Sequence, residues 1–325
     1  MRPTADQLIA SAHVVSLPLT TRFRGVETRE AVLFDGTAGW SEFSPFTEYA
    51  DAEAAAWLHA AIEFGWSETP PLVRSEILVN ATLPAVAPGQ VAAVLDAFPG
   101  CRTVKVKVAE PSQVLAEDIA RVAVARDYLG PDGRVRVDAN GGWTMDEAER
   151  AIHALAQFDL EYVEQPCATV DELVELRQRI KHLDIPIAAD ESVRKAADPL
   201  AVARAGAADL LVVKAQPLGG IRSALRIVAD AGLPVVVSSA LDTSVGISMG
   251  AHLAAALPTL EFDCGLGTAA LLAADVTDAP LLPVAGAIPV RRVEVSRELL
   301  RQHSASPERT QWWLDRIRRT HALLP

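Results

Sequence analysis

The sequence contains few cysteines and no long apolar run. Its 325 residues include three cysteines, Cys101, Cys167 and Cys264, and no CxxC pair. Three cysteines, an odd number, define no disulfide framework, so we expect the protein to reside in a reducing compartment. The N-terminal residues lack an unbroken apolar stretch of signal length, so the expected location is the cytoplasm. No segment approaches the roughly 18 uninterrupted apolar residues of a spanning helix, so we expect no membrane partner.

Basic residues are outnumbered. The 30 lysines and arginines against 42 aspartates and glutamates give a formal charge of −12. Phosphate backbones are bound by basic faces, so a nucleic-acid partner is not expected, and an anionic membrane surface is equally disfavoured. An anionic substrate would have to be held by a local site, such as a metal ion or a few lysines.

Several common catalytic motifs are also missing. The seven histidines form no HxH or HExxH zinc pattern, no GxSxG nucleophile elbow occurs, and no GxGxxG follows the first predicted strand. Zinc hydrolysis, serine hydrolysis and dinucleotide binding are therefore disfavoured. Carboxylates and lysines remain as the groups able to carry chemistry.

The composition is that of a globular protein, with half the residues hydrophobic and 22% charged. From Ile77 onward, short β-rich runs alternate with longer helical ones, which predicts a parallel sheet with right-handed crossovers. Eight strand candidates fit a closed barrel better than a doubly wound sheet. Residues 14–25 and 27–43 are predicted as strands, and an Ala-rich helix is predicted to begin at Asp51 as its N-cap.

Polar residues end the predicted barrel strands at nearly constant spacing. Asp138 to Glu164 and Glu164 to Asp190 are each 26 residues, and the next two intervals are each 24. One strand–helix unit takes about 25 residues, so these side chains should lie at one height on the catalytic rim. The strand ends are Asn80, Lys107, Asp138, Glu164, Asp190, Lys214, Ser238 and Asp263.

Three of these strand ends are acids on consecutive strands. In a partly desolvated mouth, Asp138, Glu164 and Asp190 would repel one another unless a cation neutralised them. Oxygen ligands suit a hard divalent ion, Mg²⁺ or Mn²⁺. Asn140 and Glu191 could support the ligands. The alternative is that each acid only caps the following helix or meets solvent.

Lysines flank the acids. Lys105 and Lys107 alternate on one strand and therefore share a face, whereas Lys214 ends an apolar run predicted on the opposite side of the ring. Desolvation and nearby positive charge would lower a lysine pKa and make the neutral amine a base. A metal with a lysine base suits removal of a proton from the carbon next to a carboxylate.

Together these motifs resemble the enolase superfamily, and within it the muconate-lactonising subgroup. The motifs are KVK (105–107), VDAN (137–140), EQP (164–166), DES (190–192) and VVK (212–214), with SEFSPFTEY (41–49) resembling the capping domain. The resemblance implies an α/β fold, a modified (β/α)₇β TIM barrel with an α+β capping domain. The expected division is capping domain 1–75, barrel 76–283, and a segment 284–325 that returns to the cap.

The resemblance also implies roles for the residues. Asp138, Glu164 and Asp190 would bind Mg²⁺, with Mn²⁺ as a substitute, supported by Lys105, Asn140 and Glu191. Lys107 would take the α-proton and then protonate the leaving hydroxyl, while Lys214 would stabilise the enediolate. The expected partner is a small-molecule carboxylate; the oligomeric state is left open. The expected substrate contacts are Ser238, Ser239, Gly265, Phe23 and Arg24.

Two further segments, SSALDTSVG and CGLGT, narrow the expected reaction. They resemble the branch of the subgroup that dehydrates 2-succinyl-6-hydroxy-2,4-cyclohexadiene-1-carboxylate in menaquinone synthesis. Alternatives remain: N-acylamino acid racemases share the two lysines, although Asp263-Cys264-Gly265 lacks the second acid that dipeptide epimerases carry. Two hypotheses from other functional classes also remain. One is a lyase that forms a Schiff base through Lys214, and the other is a barrel that serves as a non-catalytic binding scaffold.

Overall fold

The computed structural model describes residues 2–23, 25–194 and 198–324. The strands are β1 (Ala12–Phe23), β2 (Val26–Gly36), β3 (Gly39–Phe43), β4 (Glu76–Leu78), β5 (Ala81–Leu83), β6 (Thr103–Lys107), β7 (Arg134–Asp138), β8 (Leu160–Glu164), β9 (Ile187–Ala189), β10 (Leu210–Val213), β11 (Val235–Val237) and β12 (Ala287–Pro289). The helices are α1 (Ala5–Ala10), α2 (Asp51–Trp66), α3 (Val91–Leu95), α4 (Leu115–Leu129), α5 (Met145–Leu155), α6 (Val170–Arg179), α7 (Glu191–Arg194), α8 (Ala201–Ala205), α9 (Ile221–Ala231), α10 (Ser244–Ala256), α11 (Arg297–Gln302) and α12 (Pro307–His321).

The N-terminal unit is an antiparallel sheet in the order β1–β2–β3, with α2 packed against it. The strands predicted over 14–25 and 27–43 are present, and the second is divided into β2 and β3; β1 and β2 pair as an antiparallel hairpin. Trp57 of α2 is fully buried in the same hydrophobic cluster as Phe43 of β3. The prediction for Asp51 was wrong: the N-cap position is Ala50, and Asp51 is the first helical residue. The Asp51 carboxylate instead accepts a hydrogen bond from Arg319 Nε of α12, 2.6 Å away.

The barrel prediction is confirmed by a parallel seven-stranded sheet running from β5 to β11 in chain order. Lys107 pairs with Asp138, and Asp138 with Glu164, so these side chains lie at one level. Val104 and Val106 of β6 join the main hydrophobic core, while the lysines that alternate with them point into the barrel. This alternation places charges inside and apolar side chains against the surrounding helices.

The first and last predicted barrel strands differ from expectation. Asn80 was predicted to end the first barrel strand, but β4, just before it, pairs antiparallel with β12, and pairing with β6 begins only at Ala81. The last segment contributes isolated parallel bridges, Cys264 to Val79 and Gly265 to Ser238, which close the ring.

Asn80 and Asp263 were therefore placed wrongly on the catalytic rim. The Asp263 carboxylate accepts hydrogen bonds from Thr103 and Arg134, the first residues of β6 and β7. Asn80 accepts from Arg136, one inward position further along β7. These partners lie toward the amino end of the barrel, away from the catalytic face.

The C-terminal residues return to both parts of the molecule. Strand β12 pairs with β4 below the barrel, whereas α12 packs against α2 of the N-terminal unit. Ser16 N of β1 also donates to His303 O, at 2.9 Å. The division at residues 75 and 283 stays a prediction.

Within residues 2–23, 25–194 and 198–324, no helix combines the length and the apolarity that crossing a bilayer requires.

Candidate active site

The carboxyl ends of the barrel strands surround a small cavity of about 30 Å³ beneath the N-terminal sheet. Three lysines and Asp138 form its floor, and aromatic and hydroxyl side chains form its walls. The lining residues are Phe23, Phe46, Thr82, Lys105, Lys107, Asp138, Asn140, Lys214, Ser238, Ser239, Ala240, Leu241 and Thr268.

Asp138 is shared by two lysines. Its Oδ2 atom lies 3.1 Å from Lys105 Nζ and accepts a short hydrogen bond from Lys107 Nζ. Its Oδ1 atom accepts from the Asn140 backbone N–H at 3.0 Å. Burial favours the neutral acid, but the charges of the two lysines hold the pKa of Asp138 well below its usual range. Asp138 is therefore a carboxylate.

Glu164 is the least satisfied acid of the site. Its Oε1 atom accepts from Lys105 Nζ at 2.7 Å, but its buried Oε2 atom has no hydrogen-bond partner among the described residues. Burial, and after it the nearby Asp138 charge, raise the pKa of Glu164 above its usual value. A buried carboxylate in this state needs additional positive charge.

Asp190 is held by Lys214 and by Arg194, a residue not singled out from the sequence. Arg194 Nε lies 3.1 Å from Asp190 Oδ1, and its other nitrogens reach Glu191 at 2.6 Å and the Tyr49 hydroxyl at 3.1 Å. Burial opposes ionisation, but the Lys214 and Arg194 charges keep the pKa of Asp190 below its usual range.

The acidic residues fit a divalent metal by chemistry. Asp138, Glu164 and Asp190 are each fully buried, and the bare Glu164 Oε2 is an oxygen that a hard cation would satisfy. Over the described ranges, no three acidic, histidine or cysteine side chains stand close enough to form a ligand set as they are. Lysine ammonium groups lie between the carboxylates and balance their charge.

Lys107 has the surroundings of a base. Its Nζ atom also donates to Asn140 Oδ1 at 2.7 Å, and Asn140 Nδ2 in turn donates to Glu191 Oε1 at 3.2 Å. Burial lowers the pKa of Lys107, and the Lys105 charge lowers it further, against the attraction of Asp138. The structure thus brings Lys107 and Lys214 into one cavity with Lys105 and Asn140, and Asn140 binds Glu191.

The predicted substrate contacts are only partly assembled around the cavity. The Phe23 ring centroid lies 5.5 Å from Lys107 Nζ, and Ser238 and Ser239 also line the cavity. Gly265 lies behind them, where its carbonyl accepts from Ser239 Oγ at 2.7 Å. Arg24 lies outside the described residues.

Sequence reasoning missed several contributors. Gln165, with a left-handed φ of 38°, accepts hydrogen bonds from the backbone N–H groups of Asp190 and Ser192, at 3.0 and 3.1 Å. It stands in the EQP motif, so a signal existed. Thr82 lines the cavity with a buried hydroxyl that has no partner among the described side chains. No sequence signal marked it, because the first strand was predicted out of position.

Two family profiles match the chain. "Enolase N-terminal domain-like" matches residues 14–69, and "Enolase C-terminal domain-like" matches residues 90–294. Solved structures share the fold. A muconate lactonizing enzyme from Pseudomonas fluorescens superposes with a TM-score of 0.78 at 22% identity, covering 91% of this chain and 98% of that one. A 2-chloromuconate cycloisomerase from Rhodococcus opacus gives 0.75 at 24% identity, with the same coverage.

Curated relatives are much closer in sequence. An o-succinylbenzoate synthase of Mycobacterium marinum is 53% identical over 99% of this chain and 96% of its own length. The enzyme of that name from Thermobifida fusca is 57% identical over 90% of this chain and 91% of its own. A third, from Mycobacterium leprae, is 54% identical over 100% and 95%. The chain therefore belongs to the o-succinylbenzoate synthase family of the enolase superfamily.

Proposed function

We infer that this chain is a lyase that forms o-succinylbenzoate by removing water from 2-succinyl-6-hydroxy-2,4-cyclohexadiene-1-carboxylate, in menaquinone synthesis. The observation that carries this inference is sequence identity of 53–57% with relatives of that name along nearly the whole chain. The barrel mouth agrees with it, because three lysines and the buried Asp138 line one cavity, and Glu164 and Asp190 pair with two of those lysines. A cytoplasmic location is part of the proposal.

Enzymes of this family depend on a divalent metal ion, and we propose that Mg²⁺ is the ion used here. The residues that would hold it are Asp138, Glu164 and Asp190, whose buried oxygens suit a hard cation. When bound, the ion supplies stabilisation of the negative charge that develops on the substrate carboxylate. Lys105, Asn140 and Glu191 would keep the acids in place through the contacts described above.

Lys107 would carry the proton. Its neutral amine removes the proton from the carbon that bears the carboxylate, and the ammonium then gives that proton to the hydroxyl leaving from the same face. The proton and the hydroxyl depart as water, and the ring becomes aromatic. Burial and Lys105 both favour the neutral amine that this step needs, because they lower the pKa of Lys107.

Lys214 would act as a fixed positive charge. It lines the same cavity as Lys107 and pairs with Asp190. An ammonium group beside the reacting ring stabilises an enediolate electrostatically, as a cation does beside a π system. Phe23, Ser238 and Ser239 would contact the rest of the substrate.

A direct assay tests the proposal. The purified chain is incubated with the cyclohexadiene acid, and o-succinylbenzoate is quantified with Mg²⁺ and with excess EDTA. We expect product with Mg²⁺ and at least about a hundredfold less with EDTA, because the charge on the substrate carboxylate would go unstabilised. Racemisation of N-acylamino acids in D₂O without any dehydration would contradict the proposal.

A further inference from the structure

The loop between β11 and α10 forms one wall of the cavity and holds a strained residue. Ala240 and Leu241 line the cavity, and Leu241 is 1% exposed with a φ of +63°. A residue with a branched side chain rarely adopts this left-handed conformation, which persists only where the surroundings impose it. Something must therefore hold the loop in this shape.

Arg29, from β2 of the N-terminal sheet, binds the strained turn directly. Its Nε atom donates to Leu241 O at 3.0 Å, and its Nη2 atom donates to Ala240 O at 3.3 Å and to Ser44 O. The guanidinium also stacks 4.5 Å from the Phe46 ring centroid, and Phe46 is a further wall of the cavity. Arg29 is 3% exposed, so these bonds form away from water.

Glu42, from β3 of the same sheet, binds the other end of the loop. Its fully buried carboxylate accepts from Thr243 N at 3.1 Å, Thr243 Oγ1 at 2.6 Å and Gly246 N at 3.0 Å. Thr243 is the N-cap of α10, so the carboxylate lies at the positive end of that helix. Ser44 Oγ donates to the second oxygen at 2.5 Å.

Neither Arg29 nor Glu42 lines the cavity. Arg29 binds the carbonyls of Ala240 and Leu241, which do line it, and Glu42 binds the end of the same loop at Thr243 and the first turn of α10 at Gly246. We propose that Arg29 and Glu42 are positioning residues, which hold Ala240 and Leu241 in the shape that contacts the substrate and so make the substrate wall depend on the N-terminal sheet. This inference rests on the proposed function. Arg29 and Glu42 would then affect substrate binding, and would not serve only to stabilise the contact between the sheet and the loop.

Glu30 provides a matched control. It is next to Arg29 on β2, and its partly buried carboxylate accepts from Arg309 and from Trp313 Nε1, both of α12, at 2.6 to 3.2 Å. Glu30→Gln removes a charged acceptor from the same strand without touching the loop. A purely structural role for Glu42 predicts that Glu42→Gln and Glu30→Gln differ only in the size of the stability loss.

The first experiment compares kinetics of the Mg²⁺-loaded variants. We expect Glu42→Gln and Arg29→Met to raise KM, and the calorimetric Kd for o-succinylbenzoate, by about tenfold with a smaller change in kcat, since they displace a binding wall and no reacting group. Glu30→Gln should leave both constants within about twofold of wild type, as contacts remote from a site do. If Glu42→Gln lowers the melting temperature but leaves KM and Kd at the Glu30→Gln values, the inference is wrong.

Gly246→Ala approaches the same contact from the barrel side. A Cβ at Gly246 would lie 2.9 Å from the Glu42 carboxyl carbon and 2.7 Å from Asp242 Cβ, so the carboxylate must shift. The rise in KM should therefore resemble that of Glu42→Gln. In the double variant the two effects should add only in part, because they share the Glu42 contact while the clash with Asp242 Cβ acts separately. Full additivity would overturn the proposal.

Hydrogen exchange separates this inference from the proposed function. The amides of Thr243 and Gly246 donate to Glu42, so they should exchange about tenfold faster in Glu42→Gln and unchanged in Glu30→Gln. If the wild type forms no o-succinylbenzoate, the proposed function fails while this readout still reports on the loop. If exchange is unchanged, the positioning role fails even for an active enzyme.

Discussion

The two ends of the barrel interior are both charged, but they hold their charges differently. At the amino end, the fully buried Arg136 donates to Glu161 at 2.5 Å, to Asn80 at 3.1 Å and to the Asp263 carbonyl at 2.7 Å. Its guanidinium lies 4.8 Å from the Tyr162 ring centroid. Its Nε and Nη1 atoms are thus bound to fixed protein groups, whereas its buried Nη2 atom has no hydrogen-bond partner among the described residues.

At the carboxyl end, charges are shared and face a cavity. Lys105 bridges Asp138 and Glu164, Lys107 also binds Asp138, and one Glu164 oxygen has no partner among the described residues. Burial of charge is thus common to both ends. The catalytic end differs in two respects: the atom without a partner is an acceptor oxygen, which a cation could bind, whereas at the amino end it is a donor nitrogen of Arg136, and a cavity lies beside the charges.

Loss of Lys107 should show this difference most strongly. Lys107→Ala removes the proposed base, so kcat/KM should fall by about 10³-fold or more, the size typical of general acid–base catalysis. Binding of o-succinylbenzoate, measured by calorimetry, should largely survive. Retained turnover would remove Lys107 from its proposed role and weaken the distinction between the two ends.

Metal binding should depend only on the carboxyl end of the barrel. Asp190→Asn leaves Lys214 and Arg194 beside a neutral amide, so titration with Mg²⁺ should show an affinity loss of at least about tenfold, the effect of disturbing metal-ligand surroundings. Asp263→Asn, at the amino end, is the control and should leave the titration unchanged. An unchanged titration for Asp190→Asn would count against this ligand assignment.

Charges at the amino end of the barrel should matter for the free energy of unfolding. Arg136→Met leaves Glu161 and the Asp263 carbonyl without a donor, and we expect the free energy of unfolding to fall by about 3 kcal/mol, as for a broken buried pair. Denaturant unfolding measures it, with kcat close to wild type at temperatures where the variant is folded. Arg134→Met is the matched control, because its half-exposed pair with Asp263 should contribute less than about 1 kcal/mol. A large kcat loss in Arg136→Met would break the comparison.

The smallest expected effect is on the pH profile. Lys107 acts as a neutral base, so kcat/KM should rise with pH as its ammonium loses a proton. Lys105→Met removes a nearby positive charge that helps to lower the pKa of Lys107, so the rise should move to higher pH by about one unit. Lys105→Arg keeps the charge and should retain the wild-type profile. A shift in the opposite direction would contradict the proposed electrostatics.

Local sequence patterns predicted the middle of the barrel well. Strands β6 to β11 and the helices between them repeat at regular length, so equal spacing placed Lys107, Lys214 and the three acids on one rim. Arg194 could also have been found, because it follows Asp190 by four residues, which is one turn on a helix.

Long-range pairing explains the failures. Asn80 and Asp263 were misplaced because β4 pairs with residues about two hundred positions later in the chain, and periodicity carries no information about such partners. Arg29 and Glu42 were invisible for the same reason, since their acceptors and donors lie on a loop near residue 240. In this fold, contacts between the N-terminal sheet and the barrel are what a single sequence conceals.

The return of the C-terminal segment has a consequence for how such proteins can diversify. Because β12 pairs with β4 at the base of the barrel and α12 packs against the N-terminal unit, the last forty residues connect the N-terminal unit to the barrel. Recombination could therefore not exchange the N-terminal unit or the barrel alone without breaking these contacts. A working chimera between relatives would have to inherit both ends of the chain from one parent, so new specificities in this architecture should arise through point changes in loops.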